Sequence, residues 1–389
     1  MDLVTASHEV GGTIGYQLRR LRRLRGLTQE ELADRANVSR DVVTKLEQGR
    51  RHTARIASLA CLAHALEVEL SALLERATPV LETENDAMRE AELRSPGELR
   101  EQLRAIERSY GDVPSTSLLP PAARLLGEIS LLRDTTSRVA EHRELDACEA
   151  EAATLMGQLV WDASQRRDHA TAGRYFDQAI AAARRVDDPI AAGHGLLRKS
   201  FIALYGQRDP SSGLLLAQQA AEAAAGSSHA LTGLGLLHAA EAHAMLANRR
   251  DCERTLAAAE AHLGRIGRDD AAAFLFAEPT LDRLAGSCYL SLGRYQRAEC
   301  VLADTARRLH DRPKSLAIVL ANLALSNLRQ RQIDAAAGVL HQAIDMTART
   351  RGGGGMNLVF NVGRELAPWR HEPVVQHVHD RLHDLMTSP

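Results

Sequence analysis

Residues 26–51 read GLTQEELADRANVSRDVVTKLEQGRR, and almost every position carries a local structural instruction. Gly26 closes a preceding helix, as glycine often does at a helix C-terminus. Thr28 and Glu31 have the spacing of a capping box, in which each side chain satisfies a backbone donor left open at a helix start. Leu32 and Ala36 then fall on one face, as an amphipathic helix requires. Asn37, Val38 and Ser39 make a turn, Ser39 caps the next helix, and Gly49 ends it. The stretch is two short helices joined by a tight turn, the second projecting its first residues outward.

Upstream of Gly26, Ile14, Leu18 and Leu21 line one face of a first helix that also carries Arg19, Arg22 and Arg23. Downstream, Thr53 caps a fourth helix running through Leu66, and Leu70, Leu73 and Leu74 supply a fifth. From Thr13 to Arg55, eleven Arg and Lys stand against five acids, a local surplus of +6, whereas the whole chain of 389 residues carries −2. A basic module on an acidic body points to nucleic acid at one end. The length calls for more than one domain. Aromatic residues make up only 3% of the chain, and Ala and Leu supply most of the apolar side chains, which favours closely packed helices over sheets. The five cysteines form no C-x-x-C pair and sit within helical patterns. No secretory segment opens the chain, and no apolar stretch is long enough to span a membrane, so a cytoplasmic protein is expected.

The module resembles the phage-repressor-like (Xre-type) helix-turn-helix family over residues 13–76. The matching features are L-R-x-L-R, G-L-T-Q-E-E-L-A, V-S-R-x-x-V-x-K-L-E-x-G-R, and L-A-x-A-L-x-V at 62–68. The resemblance implies that Arg40, Asp41, Thr44 and Lys45 lie on the exposed face of a recognition helix entering the major groove. Arg40 and Lys45 would donate to guanine O6 and N7. Asp41 would either accept from cytosine N4 or complement the helix dipole. Gln29, Arg50 and Arg51 would contact phosphates, and Arg22 with Glu47 would form a structural ion pair between the first helix and the end of the third.

Residues 77–96 mix charges with Pro79 and Pro96 and read as a linker or a short connecting helix. From Gly97 onward the pattern is one of amphipathic helices. The clearest unit, PTLDRLAGSCYLSLGRYQRAECVL from Pro279, puts Ala285, Gly286 and Tyr289 on one helix, Gly293 and Tyr295 at a turn, and Ala298 and Leu302 on a second. This resembles the tetratricopeptide repeat. The second-helix anchors Ala172, Gly213, Cys252, Ala298 and Ala336 are 41, 39, 46 and 38 residues apart, longer than that family's period of about 34. Residues 97–150 supply helices ahead of the first clear unit, and 357–366 with 373–385 form a terminal pair. Stacked pairs make a superhelix whose first helices line a concave groove. That implies inward positions for Trp161, Arg198, Tyr205, Glu241, Arg283, Ser287 and Asn322, joined by Asn357 and Asn361. Asparagine amides suit a peptide backbone and arginine suits a carboxylate, although plain polar residues also populate such a face.

His371, His377, His379 and His383 lie close together, but H-E-x-x-H is absent and they read as solvated surface with no metal. The run Gly352–Gly355 follows no strand and precedes no G-K-[ST], so it reads as a flexible joint. No nucleophile elbow, Walker motif or dinucleotide fingerprint occurs, and neither an enzyme nor a cofactor is expected. The expected architecture is all-α: a five-helix helix-turn-helix domain in 1–76, a linker in 77–96, and a tetratricopeptide-like superhelix in 97–389 for sensing and dimerisation. This layout resembles the peptide-pheromone receptor regulators of Gram-positive bacteria and actinobacterial regulators built alike. It implies a homodimeric transcriptional regulator that binds a double-stranded DNA operator and responds to a peptide, small molecule or protein in the groove. A protein-interaction scaffold or antitoxin-like partner with secondary DNA binding is the alternative.

Overall fold

The computed structural model describes residues 14–25, 27–48, 56–66, 68, 73, 94–277, 279–309 and 312–387. Among these residues every regular element is helical, and no helix is long and apolar enough to cross a membrane. Gly26, Gly49, Arg50, Arg51, Thr53, Leu70, Leu74 and residues 77–93 of the expected linker lie outside the described residues. The chain divides into two compact units, residues 1–102 with 119–145 and residues 103–118 with 146–389.

The first unit contains α1 (Ile14–Leu24), α2 (Gln29–Arg35), α3 (Arg40–Glu47) and α4 (Ile56–Ala65). The capping box opens α2: Glu31 N donates to Thr28 Oγ1 at 3.1 Å, and Thr28 N donates to Glu31 Oε2 at 2.7 Å. Asn37 adopts a left-handed backbone with φ 50° in the turn, a conformation asparagine tolerates better than most residues. Ser39 occupies the N-cap of α3, but its side chain makes no capping bond. Leu18, Leu32, Val43, Leu46, Leu62 and Leu66 are all buried, each stabilising the fold by roughly 1.5–3 kcal/mol. Gly15 lies directly against the Leu46 carbonyl, which brings α1 onto α3. Leu73 is buried and helical, in the region of the expected fifth helix.

Between Pro96 and Ala163 run α5 (Pro96–Ser109), α6 (Ser115–Thr135) and α7 (Val139–Ala163). Helical pairs then follow: α8 (His169–Arg185) after α7, α9 (Pro189–Phe201) with α10 (Pro210–Ala224), and α11 (His229–Met245) with α12 (Arg249–Leu263). The pairs α13 (Thr280–Ser291) with α14 (Tyr295–Arg308), α15 (Pro313–Arg329) with α16 (Ile333–Thr350), and α17 (Gly353–Glu365) with α18 (Pro373–Thr387) complete the series. Asp188-Pro189 and Asp209-Pro210 start α9 and α10 alike: each Asp accepts two backbone N–H bonds, and each Pro stands where no donor is needed. The anchors Ala172, Gly213, Cys252, Ala298 and Ala336 are all buried. Gly286 faces Leu302, where a Cβ would come within 2.6 Å, so its bareness lets α13 and α14 meet. The longest step between anchors holds the loop 264–279, in which Asp270 accepts from Ser228 Oγ at 2.5 Å and Ala230 N at 2.9 Å at the start of α11.

Gly352–Gly355 is not the flexible joint the sequence suggests. Gly353–Gly355 are the buried first turn of α17. A Cβ on Gly353 would lie 2.6 Å from the Asp162 carbonyl oxygen, and one on Gly354 would overlap the Arg166 guanidinium. The glycines therefore serve close approach. Gly353 N donates to Asp162 Oδ1 at 2.7 Å, while Asp162 Oδ2 accepts from Ser115 Oγ at 2.7 Å and Lys314 Nζ at 3.3 Å. Asn357 Nδ2 donates to the Gln165 carbonyl at 2.9 Å. Within the second unit, the start and the end of the helical stack are thus joined.

Candidate functional site

Two sites follow from this scaffold, one in each unit. In the first unit, burial of Val43 and Leu46 fixes the roll of α3, and the opposite face carries Arg40, Asp41 and Lys45 into solvent. Arg40 and Lys45 side chains are 65% and 50% exposed. Lys45 Nζ lies 2.8 Å from Asp41 Oδ2, and Arg40 lies 3.6 Å from Glu30. Exposed pairs of this kind are worth about 0.2–1 kcal/mol, so they leave both cations free to exchange partners.

Beneath that face is a bonded brace. Arg22 Nε and Nη2 donate to the two oxygens of Glu47 at 2.6 and 2.9 Å, and Arg22 Nη1 donates to the Leu27 carbonyl at 2.7 Å. The bond to Glu47 raises the Arg22 pKa against the opposing effect of burial. Gln29 Nε2 also donates to Glu47, at 2.7 Å, and Gln29 Oε1 accepts from Thr44 Oγ1 at 3.2 Å. Gln29 and Thr44 are thus tied to each other and half-buried, while Arg40, Asp41 and Lys45 face outward.

The second unit encloses a cavity of about 190 Å³. Of the sequence-predicted groove residues, Trp161, Arg198, Tyr205 and Arg283 line it. Glu241 and Ser287 stand one bond behind: Tyr205 Oη donates to Glu241, and Ser287 Oγ donates to its other oxygen at 2.6 Å. Asn322 is buried in α15, Asn357 is spent on the Gln165 carbonyl, and Asn361 bonds Glu365 and Arg364; none of these three lines the cavity. The physical reason is the joining of the stack. It brings α17 against the turn after α7 and uses up the Asn357 amide, whereas Asn361 is bonded along its own helix and Asn322 is packed into α15.

Sequence reasoning missed Arg166, Lys314, Tyr110 and His238, all of which line the cavity. Arg166 lies in the turn after α7 rather than on a helix face, with a left-handed backbone at φ 60°, and so escaped a count along helices. Lys314 is one of only three lysines in the chain, which was the available signal. Its Nζ sits 4.0 Å from the centre of the Tyr110 ring, and burial pulls its pKa down against the effect of Asp162. Tyr205 is placed by a π-helical turn, Ile202–Gln207, that continues α9, a distortion often found at functional positions.

The family described as a helix-turn-helix domain matches residues 13–76. The immunity repressor protein of Bacillus phage phi105 is 28% identical over 99 residues, which cover 25% of this chain and 68% of the repressor. Among solved structures, a Rap protein complexed with competence and sporulation factor aligns at 11% identity and a TM-score of 0.43, over 75% of this chain and 98% of that one. Bacillus thuringiensis PlcR, in complex with the peptide PapR7 and DNA, aligns at 11% identity and a TM-score of 0.26, over 96% and 94%. Residues 13–76 are a helix-turn-helix domain, and the chain continues from it into an all-helical repeat unit.

Proposed function

We propose that this chain is a DNA-binding transcriptional regulator whose helix-turn-helix reads an operator and whose repeat unit binds an effector that controls DNA occupancy through a homodimer. The observation that carries the reading is α3. Its apolar face is locked into the core while Arg40, Asp41 and Lys45 project from its first two turns. A helix oriented in this way can place its N-terminal side chains against base edges in the major groove. Arg40 and Lys45 then donate to guanine, and Asp41 accepts from cytosine once its pair with Lys45 opens. Thr44, already bonded to Gln29, contributes a methyl and a hydroxyl at the next turn. Gln29 acts chiefly as a brace that sets Thr44, and Arg50 and Arg51 hold phosphates. A homodimer matches two half-sites one helical turn apart, and an effector acts only by binding one dimer arrangement better than another.

Mapping genomic binding of the full-length protein beside Arg40→Ala tests the reading. Loss of discrete peaks, with roughly 10-fold to 100-fold weaker operator binding for one bidentate guanine contact, is the expected result. Peaks that persist unchanged would remove Arg40 from base reading.

A further inference from the structure

The walls of the cavity in the second unit carry more positive than negative charge. Arg166, Arg198, Arg283 and Lys314 line it, against a single acid, Asp162. That acid is already occupied by Lys314, Ser115 and the Gly353 amide. Among the described residues, no carboxylate comes within 4.0 Å of the Arg166, Arg198 or Arg283 guanidinium. Burial pulls the Arg166 and Arg198 pKa values down, against the opposing charge of Asp162 at Arg166 and of Tyr110 and Glu107 at Arg198. An arginine stays charged in proteins even so. Half-buried cations grouped around one already bonded carboxylate are costly to hold together unless something anionic joins them.

Donors and flat surfaces wait alongside. Trp161 is 5% exposed, and its Nε1 is a buried donor with no partner among the described residues; Arg166 Nε is another. The Arg166 guanidinium lies 4.6 Å from the centre of the Trp161 ring and 5.6 Å from that of Tyr205, while Arg198 lies 5.5 Å from Phe201. These stacking contacts hold the guanidinium groups in place, so little side-chain freedom remains to be lost on binding. Gln165 and Arg166 hold successive left-handed backbones, φ 53° and 60°, a strain of roughly 1–2 kcal/mol each that local packing must maintain.

We infer that this cavity binds a small organic oxyanion, its carboxylate or phosphate clamped by Arg166, Arg198 and Arg283 and its planar apolar part held against Trp161, Tyr205 and Phe201. The inference rests on reading the second unit as an effector-binding unit and names the chemistry of the effector. The volume of about 190 Å³ falls below the roughly 300–1,000 Å³ of pockets for drug-sized ligands, which suits a compact acid or one end of a longer molecule.

The test uses the full chain with Trp369→Phe, which leaves Trp161 as the sole indole of the two in the sequence. Benzoate, phenyl phosphate, the neutral isostere benzamide and inorganic phosphate are titrated without DNA, read by indole fluorescence and calorimetry. Benzoate or phenyl phosphate should bind with roughly micromolar to millimolar Kd, as fragments of this size do. Benzamide should bind about tenfold weaker or worse, and Arg283→Gln should weaken the anions by roughly tenfold to a hundredfold while Arg283→Lys restores part of the loss. Benzamide binding as tightly as benzoate in the unsubstituted cavity would overturn the inference whatever the variants do, as would no binding by either aromatic anion. Preference for phenyl phosphate over benzoate identifies a phosphate ester as the source, the reverse preference a carboxylic acid. A short peptide that competes only with a free C-terminus identifies a peptide end. An anion that binds but leaves operator occupancy unchanged defeats the switching proposed above and leaves the cavity chemistry standing.

Discussion

His194 Nε2 accepts a hydrogen bond from Arg198 Nε at 3.1 Å, which leaves the imidazole proton on Nδ1 and the ring neutral. Burial, and then the charge of Arg198, hold the His194 pKa well below its ordinary value near 6.5. Burial also lowers His238, whose Nδ1 lies 2.8 Å from Tyr205 Oη, although its bond to Glu241 opposes the shift. The unfolded chain titrates both imidazoles near about 6.5. Below that pH the unfolded chain takes up protons that the folded chain refuses, so stability is lost as pH falls from about 7 towards 5. Denaturant midpoints measured across that window should fall, and His194→Gln, which keeps an acceptor for Arg198 but cannot titrate, should flatten the slope. An equally steep slope in the variant would take His194 out of the account.

Between elements, α1 meets α3 closely at Gly15 in the first unit. A Cβ there would overlap the Leu46 carbonyl oxygen, a backbone atom that cannot swing away. Gly15→Ala should therefore cost about 1–3 kcal/mol, as overpacking does, and weaken operator binding because α3 must shift. Gly173→Ala in α8 is the control: nothing stands within 4 Å of its Cβ, so relief of glycine's backbone entropy should leave it neutral or stabilised by up to about 1 kcal/mol. A Gly15→Ala melt unchanged from wild type would refute the packing argument. Elements of this kind were largely legible in the sequence. The Thr28–Glu31 box, the anchors Ala172 to Ala336 and the Gly286–Leu302 contact depend on residues close together in the chain, and short-range periodicity reports them. Arg166 and Gly352–Gly355 were not legible, because their meaning lies in partners such as Asp162 and Lys314. Residues 162 and 314 meet across 152 positions, and 162 and 353 across 191, and no local pattern records such a meeting. The π-helical turn at Tyr205 leaves no mark in hydrophobic spacing either.

Over the second unit as a whole, the meeting of Asp162 with Ser115, Lys314 and Gly353 concentrates stability in one place. Asp162 and Lys314 side chains are 7% and 13% exposed, so Asp162→Asn leaves a largely buried ammonium without its counter-charge. Breaking such a pair costs about 3–5 kcal/mol, and replacing both partners, as in Asp162→Asn with Lys314→Met, should recover part of that loss. Equilibrium unfolding of the two variants beside wild type decides the matter; an unaffected single variant would show that the junction bears no weight. The same junction governs how this architecture can change. Open solenoids interact only between neighbours, which makes them close to one-dimensional and lets them gain or lose a repeat. Here an inserted or deleted hairpin would carry Lys314 and Gly353 out of reach of Asp162, so the junction resists a change in the number of hairpins. The junction also joins residues far apart in the chain, and such contacts carry a loop-closure cost that the contacts between neighbouring helices do not.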